Sequence, residues 1–388
     1  MIQTTMTTST ITQTNTQKIR ITFLMRSAQG GGAERVTIAL ANQLAAKGYH
    51  IDFIFIQAVG PFLQDIDHRI HVIDLGVRRT LLAPVKLYQQ LKRHRPDVLI
   101  SALNYINIMA IMACRCLKGK RPKTMITEHG TLSAVLESLR GTGKLVPMLM
   151  QRCYPFADRI IAVSHGVADD LAQQLQLSPQ QIQTIYNPMD FDKIFSKKNI
   201  PLNHPWVNCG IPLILGAGRL VEVKNFPLLI AAFERVRAQQ ACRLVIIGEG
   251  EKRTELETQI QSSAYAQDIA LLGFSDNPYQ WMAAANLFVL SSRTEGLPTV
   301  LIEALLCGTQ VISTDCPYGP REILQDGQFG SLVPVDDVAA LAAEMLKKLQ
   351  HTSAPQIDLT TLAQRFGQDS ITLQYEQEIQ QLCSGATA

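Results

Sequence analysis

The sequence lacks a large net charge, a cysteine framework and long apolar runs. Its 36 Lys and Arg residues against 33 Asp and Glu leave a net charge of only +3, so we expect no nucleic-acid partner. None of the eight cysteines belongs to a Cys-x-x-Cys pair, which predicts reduced thiols in a cytoplasmic protein rather than disulfides or a metal site. No run approaches the roughly 20 apolar residues of a membrane-spanning helix, so we expect no helical crossing of a bilayer.

The length and composition predict two or three globular domains, because 388 residues are 46% hydrophobic and 18% charged. Residues 1–17 are rich in Thr and Gln and fit neither a signal peptide nor a transit peptide, so we expect a disordered tail. In residues 18–200, short apolar runs such as Ile21–Met25 alternate with amphipathic segments such as Ala33–Lys47. This alternation predicts a parallel sheet covered by helices on both faces.

The same pattern restarts after Ser196–Pro212, a polar stretch rich in Asn and Pro that we interpret as the domain junction. We therefore expect a second α/β domain over residues 201–365 and a helix within residues 366–388 that crosses back to the first domain. Ligands of doubly wound domains bind beyond the carboxyl ends of the strands. Functional residues are therefore expected in strand-to-helix loops that face a cleft between the domains.

Three glycines, Gly30, Gly31 and Gly32, link the first strand to the first helix. They would let a phosphate or hydroxyl group approach the backbone N–H groups. A dinucleotide-binding fingerprint would need a glycine where Arg35 stands, which disfavours an oxidoreductase. Two interpretations stay open, a tight turn that opens a helix and a ligand-binding loop.

His129 directly follows a buried strand and precedes Gly130. From that position an imidazole could bond a sugar hydroxyl or a phosphate, or hold a proton near neutral pH, although a lone His is usually structural. Arg219 and Lys224 flank the turn after the first strand of the second domain. A planar guanidinium and an ammonium together suit a diphosphate that is stabilised as it leaves, the alternative being two solvated cations.

The segment Glu295-Gly296-Leu297-Pro298 precedes a helix in which Pro298 is expected at the first position. Open backbone N–H groups there favour an anion, and the Glu295 carboxylate can accept hydrogen bonds from sugar hydroxyls. Glu303, eight residues later, either reaches a ribose or faces solvent. Two Asp-x-Asp triplets, Asp65–Asp67 and Asp190–Asp192, have the spacing of a cation site, but their positions favour turn or cap residues.

The stretch Leu132–Arg152 is apolar and carries the cations Arg140, Lys144 and Arg152. It is expected either to dip into a membrane interface near anionic lipid or to form helices packed on the first domain.

With these residues in view, the chain resembles the retaining glycosyltransferases of family 4, which have the two-domain GT-B fold. The resemblance runs from about Lys18 to the end, and its most specific part is Arg219 and Lys224 followed by Glu295-x7-Glu303. It implies an α/β architecture of two Rossmann-like, doubly wound domains facing each other across a cleft. The first domain would bind the acceptor and the second the nucleotide sugar.

The resemblance also implies roles for individual residues. Arg219 and Lys224 would bind the donor diphosphate, Glu295 the donor sugar and Glu303 the ribose. His129 matches the active-site histidine of the family. The remaining donor-site positions match its glycine loop, the segment that holds the base, and the start of the helix before Glu303; they are Gly31, Gly32, Gly273, Phe274, Gly296, Leu297, Pro298 and Thr299.

The run Asp315–Leu324 is similar to that of enzymes that extend lipid-linked oligosaccharides and surface polysaccharides from UDP-hexose or UDP-N-acetylhexosamine. The implied protein is a retaining hexosyltransferase without metal or other cofactor, peripheral on the cytoplasmic face of a membrane. Its partners would be a nucleotide-sugar donor and a lipid-linked glycan. The alternatives are a GT-B sugar-nucleotide epimerase and a non-catalytic protein that binds nucleotide sugars.

Overall fold

The computed structural model describes residues 19–29, 31–77, 82–133, 136, 145–351 and 358–384. Within these residues the chain forms two parallel sheets, each in its own domain and each flanked by helices. The strands are almost continuously buried, as in Arg20–Met25, where five of six residues are buried. Such strands are typical of parallel sheets that are covered on both faces.

The first sheet has seven strands in the order β3-β2-β1-β4-β5-β6-β7. Its strands are β1 Arg20–Met25, β2 His50–Phe55, β3 His71–Asp74, β4 Val98–Ala102, β5 Lys123–Glu128, β6 Arg159–Ala162 and β7 Ile182–Thr184. The described helices that accompany it are α1 Gly32–Ala46, α2 Ala83–His94, α3 Asn104–Cys116, α4 Leu145–Cys153 and α5 His165–Leu175. Short 3-10 helices lie at Pro61–Asp65, Tyr154–Phe156 and Pro179–Gln181.

The second sheet has six strands in the order β10-β9-β8-β11-β12-β13. Its strands are β8 Leu213–Ala217, β9 Arg243–Ile247, β10 Ile269–Gly273, β11 Leu287–Leu290, β12 Gln310–Thr314 and β13 Ser331–Val333. The described helices from residue 191 onward are α6 Phe191–Lys198, α7 Phe226–Arg237, α8 Arg253–Ser262, α9 Pro278–Ala284, α10 Thr299–Cys307, α11 Pro320–Ile323, α12 Val338–Gln350, α13 Leu359–Phe366 and α14 Gln368–Ser384. Two further 3-10 helices are Glu222–Lys224 and Ala266–Asp268.

The chain crosses between the domains twice, and the two crossings are hydrogen-bonded to each other. The backbone N–H of Met189 donates to the carbonyl of Phe366 over 2.8 Å, and that of Gln368 donates to the carbonyl of Met189 over 3.1 Å. After the second crossing, α14 returns to the first domain, where Ile371, Tyr375 and Ile379 are buried in the same apolar cluster as β1 and β2. The paired crossings therefore form the covalent hinge between the domains.

The structure differs from the sequence analysis in several details. The first crossing lies at Met189 rather than near residue 200, because α6 buries Ile194 against the second domain. The helix expected within residues 366–388 is α14, and a separate short helix, α13, precedes it and ends just before Gly367. The strands β7 and β13 were missed. Of the apolar stretch Leu132–Arg152, Arg140 and Lys144 lie outside the described residues.

Among the described helices, none combines the length and the apolar character that crossing a membrane requires.

Candidate active site

The strand-to-helix loops of the two domains meet directly at Gly296 and His129. A Cβ atom on Gly296 would lie 2.2 Å from the carbonyl oxygen of His129, so only a glycine lets the two backbones approach this closely. The hydroxyl of Ser164 donates to the carbonyl of Gly296 over 2.9 Å, and the hydroxyls of Thr131 and Thr294 lie 3.3 Å apart. His129 from the first domain therefore adjoins the Glu295 loop of the second.

A second contact between the domains is made by Glu322 on α11. Its carboxylate accepts hydrogen bonds from the backbone N–H of His165, at 3.1 and 3.2 Å, and from the hydroxyl of Tyr186 at 2.6 Å. Tyr318, four residues before Glu322, packs directly on Gly166. A Cβ atom added to Gly166 would lie 2.3 Å from the Cβ atom of Tyr318. The run Asp315–Leu324 thus holds the second domain against the start of α5.

Lys224 and Glu295 form an ion pair at the carboxyl edge of the second sheet. The Lys224 Nζ atom lies 2.6 Å from Glu295 Oε1, and the Ser292 hydroxyl donates to the same oxygen over 2.6 Å. The side chains are only 17% and 9% exposed. At this burial the pair is stronger than a surface ion pair, and it holds the carboxylate as a hydrogen-bond acceptor.

Arg219 lies on the same loop after β8 that carries Lys224, and its side chain is exposed. The loop is fixed by backbone bonds from Gly218 to Ile247 and from Leu220 to Glu249, at 3.0 and 2.9 Å. The guanidinium is therefore carried on a rigid turn and is free to meet a ligand from solvent. The alternative of two solvated cations fits Arg219 by its exposure but not Lys224.

Helix α10 begins at Thr299, and Pro298 occupies the N-cap rather than the first helical position. Glu303 on this helix is 6% exposed, which excludes the alternative of a solvent-facing carboxylate. Burial raises the pKa of Glu303, while the cations Arg35 and Lys193 and a hydrogen bond with Tyr279 oppose that shift. A buried carboxylate with few partners is costly unless a ligand supplies donors.

His129 is partly buried at the end of β5, where its Nε2 atom lies 3.2 Å from the Thr127 hydroxyl. Burial lowers the pKa of His129 to about 4, and the neighbouring Asn187 opposes this shift. Its Nδ1 atom is buried without a hydrogen-bond partner among the described residues. The ring is therefore neutral at neutral pH, so among the open alternatives a hydrogen bond to a ligand is favoured over uptake of a second proton near neutral pH.

Glu128, which the sequence analysis missed, lies beneath His129 in a buried polar network. Its Oε1 atom accepts a hydrogen bond from Asn107 at 2.8 Å and a short one from the Tyr154 hydroxyl. Asn107 in turn accepts from Ser101 over 2.7 Å. Burial raises the pKa of Glu128 to about 7, although both hydrogen bonds lower it. No spacing signal pointed to this network, since its members come from β4, α3, β5 and a 3-10 helix.

The glycine positions are placed at the ends of strands in both domains. Gly31 is the N-cap of α1, with the Glu34 carboxylate lying over it, and Gly32 is the first helical residue. Gly273 ends β10 with φ +79°, and Phe274 beside it is 69% exposed. These positions fit a helix-opening turn and an open base platform, and their ligand roles stay predictions.

The Asp-x-Asp triplets lie in structural positions. Asp190 caps α6 by accepting from the backbone N–H of Lys193 at 2.9 Å, and Asp67 binds Arg69 at 2.6 Å. In the part of the chain that the structure describes, no metal-ligand triad lies beside Lys224 and Glu295.

Comparison with known proteins gives two family matches that divide at the hinge. Residues 30–193 match the model described as Glycosyltransferase Family 4, and residues 211–351 match Glycosyl transferases group 1. A Campylobacter jejuni N-acetylgalactosamine-N,N'-diacetylbacillosaminyl-diphospho-undecaprenol 4-alpha-N-acetylgalactosaminyltransferase is 31% identical over 82% of this chain and 87% of its own length. A second C. jejuni enzyme, a GalNAc-alpha-(1->4)-GalNAc-alpha-(1->3)-diNAcBac-PP-undecaprenol alpha-1,4-N-acetyl-D-galactosaminyltransferase, is 29% identical over 84% of this chain and 88% of its own length.

Solved structures show the same fold over nearly the whole chain. Sucrose-phosphate synthase from Thermosynechococcus elongatus superposes with a TM-score of 0.79 at 20% identity, over 95% of this chain and 100% of that one. Anabaena HepE, solved with UDP and glucose, gives a TM-score of 0.76 at 21% identity, over 93% of this chain and 99% of that one. The architecture is therefore the α/β GT-B fold.

The adjacent residues Glu128 and His129 both influence how the stability of the fold depends on pH, which can be measured. Their ordinary pKa values of 4.5 and 6.5 apply to the unfolded chain, against about 7 and about 4 in the folded one. Between pH 4.5 and 6.5 the folded pair therefore holds one proton, on Glu128, and the unfolded pair also holds one, on His129. Their contributions to the pH dependence of stability cancel in this window.

We predict that Glu128→Gln and His129→Ala change the slope of the free energy of unfolding against pH in opposite directions. In Glu128→Gln, His129 binds its proton only in the unfolded chain, so the free energy of unfolding rises with pH across the window. In His129→Ala, Glu128 binds its proton only in the folded chain, so the free energy falls as pH rises. Each slope should differ from wild type by up to about 1.4 kcal/mol per pH unit. Urea unfolding across the window measures this, and parallel pH profiles for all three proteins would contradict it.

Proposed function

Because the chain belongs to glycosyltransferase family 4, we propose that it transfers a hexose or N-acetylhexosamine from a UDP-sugar to a hydroxyl of a lipid-linked glycan, with retention at the anomeric carbon. The observation that carries this proposal is that the loop of Glu295, whose carboxylate binds Lys224, packs directly against His129 of the other domain. The first C. jejuni relative acts on a diphospho-undecaprenol glycan, and Anabaena HepE binds UDP and glucose, which support the acceptor and the donor class.

The charges of the site suit a departing nucleoside diphosphate. As the bond between the anomeric carbon and the β-phosphate oxygen breaks, negative charge grows on the diphosphate. Arg219 and Lys224 supply positive charge there, and the N-terminus of α10 adds backbone N–H groups. Preorganised cations of this kind stabilise the leaving group without a metal ion.

Glu295 is proposed to orient the donor sugar by accepting hydrogen bonds from its hydroxyls, because Lys224 and Ser292 hold its carboxylate in place. Glu303 is proposed to accept from the ribose hydroxyls, which would add donors to the one that Tyr279 supplies to its buried carboxylate. The acceptor oxygen attacks on the face that the diphosphate leaves, and its proton passes to a phosphate oxygen. Neutral His129 lies where it can bond a sugar hydroxyl at the reacting end.

An apolar surface on the first domain is proposed to meet the membrane that holds the acceptor. Met112, Leu145, Met148, Leu149 and Phe156 on α3, α4 and the adjoining 3-10 helix are 40–53% exposed. Arg115 lies over the Phe156 ring at 3.9 Å, which puts a cation beside the apolar groups. Apolar side chains flanked by cations are typical of reversible binding at an anionic lipid surface.

We predict acceptor-dependent release of UDP. The full chain is incubated with UDP- and GDP-linked hexoses and N-acetylhexosamines in EDTA, with and without a polyprenyl-diphosphate glycan. UDP should appear only when donor and acceptor are both present. A new sugar nucleotide formed without acceptor would instead indicate an epimerase, and binding without turnover would indicate a non-catalytic protein.

We predict that Arg219→Ala and Lys224→Ala each lower kcat roughly 10²- to 10³-fold, since each removes a positive group that stabilises the leaving diphosphate. Lys347→Ala is the matched control, because Lys347 is a 65% exposed cation on α12. Thermal unfolding checks that the variants fold. Wild-type kcat in both site variants would overturn the assignment of the cation pair.

We predict that the double variant Met148→Glu/Leu149→Glu loses flotation with anionic liposomes while it keeps transfer to a soluble short-chain acceptor. Leu373→Glu serves as control, because Leu373 is a 51% exposed leucine on α14, away from the apolar surface. Flotation of the wild type should also fall as salt rises. Equal flotation of the double variant and the wild type would show that this surface does not bind the membrane.

A further inference from the structure

A cluster of metal-ligand side chains lies on the first domain, away from the cleft. Asp52, His71 and His94 come from β2, β3 and the end of α2, and one ligand atom of each lies within 4.8 Å of the others. The cleft is at the carboxyl ends of the strands, whereas Asp52 and His71 lie near the amino ends of theirs. The cluster is thus at the opposite edge of the first sheet.

The carboxylate of Asp52 is the buried member of this cluster, and one of its oxygens has no hydrogen bond within the described structure. The Asp52 side chain is 3% exposed, and its Oδ2 atom has no hydrogen-bond partner among the described residues. His94 Nδ1 and Arg20 Nη2 lie 3.8 Å from that oxygen, too far for a hydrogen bond. Thr22, the register partner of Asp52 on β1, also has a buried hydroxyl without a partner among the described residues. A buried carboxylate oxygen left in this state is costly unless a further group binds it.

The three side chains bring one ligand atom each within 4.8 Å of the others, close enough to converge on one cation, and His71 and His94 face different oxygens of the Asp52 carboxylate. His71 Nδ1 lies 3.0 Å from Asp52 Oδ1, and His94 Nδ1 lies 3.8 Å from Asp52 Oδ2. Zinc bonds of about 2.0–2.1 Å in tetrahedral geometry place neighbouring ligand atoms roughly 3.4 Å apart. Two imidazoles and one carboxylate suit zinc and related divalent cations rather than Mg²⁺ or Ca²⁺, which prefer oxygen ligands.

We propose that Asp52, His71 and His94 bind a divalent cation of the zinc class, with the fourth position open to solvent. Arg20 is the competing partner of Asp52, but its side chain is 41% exposed and can turn away when a cation binds. Since β3 is the edge strand, bonded to β2 alone within the described sheet, the cation joins that edge to α2. The site is structural, because it lies at the edge of the sheet opposite to the reacting groups.

Titration of the full chain, freed of metal by chelation, with Zn²⁺ by calorimetry and with Co²⁺ by visible absorption tests this proposal. We expect one Zn²⁺ per chain, tetrahedral Co²⁺ bands without thiolate charge transfer, and a higher unfolding temperature with Zn²⁺. His71→Ala and His94→Ala should each weaken binding at least tenfold. His68→Ala is the matched control, because the His68 side chain is 91% exposed and on the same segment.

His71→Ala keeps the test decisive, since a side chain that is 60% exposed can be removed without loss of the fold. Equal Zn²⁺ affinity of wild type and His71→Ala would overturn the site. Thiolate charge transfer in the Co²⁺ spectrum would assign binding to cysteines and would also overturn it. Neither readout depends on glycosyl transfer, so failure here is separate from failure of the proposed function.

Discussion

Parallel pairing in both sheets is the constraint on which the rest of the structure depends. Because all paired strands within each sheet run in one direction, their carboxyl ends and the following loops collect at one edge. The hydrogen-bonded crossings at Met189 and Gly367 then set these edges against each other, so His129 meets the Glu295 loop. The topology therefore determines which loops meet, and the side chains on those loops determine the chemistry that is available there.

Much of the fold followed from the sequence because buried parallel strands and amphipathic helices have clear periodic patterns. The strands that were missed are the weak cases: β7 is the three residues Ile182–Thr184, of which none is fully buried, and β13 is equally short. Their place is decided by neighbouring strands at the sheet edge rather than by local pattern. The first domain crossing was predicted too late in the chain for a similar reason. The sequence of α6 is largely hydrophilic and gives little sign that Ile194 is buried.

Candidate site residues could be proposed from the sequence where spacing along the chain carries the signal, as in Arg219 with Lys224 and Glu295 with Glu303. Contacts between distant segments carry none. Glu128 meets Asn107 and Tyr154 across 21 and 26 residues, and Asp52 meets His71 across 19. In the sequence these residues are ordinary polar positions. Only the folded structure shows that Glu128 is buried with a raised pKa and that Asp52 is buried with one oxygen lacking a hydrogen bond among the described residues.

The two carboxylates of the Glu295-x7-Glu303 pattern are similarly buried but differ in the groups that bind them. Glu295 is paired with Lys224 and Ser292, so its charge is balanced before any ligand arrives. Glu303 is buried on an apolar helix, where burial raises its pKa against the opposing effect of the cations Arg35 and Lys193 and of a hydrogen bond with Tyr279. A ligand that donates hydroxyl hydrogen bonds to Glu303 would relieve this cost, whereas a purely apolar ligand would not. In the proposed function, Glu303 would therefore contribute selectivity for a hydroxylated ligand, and the ion pair of Glu295 would contribute preorganisation.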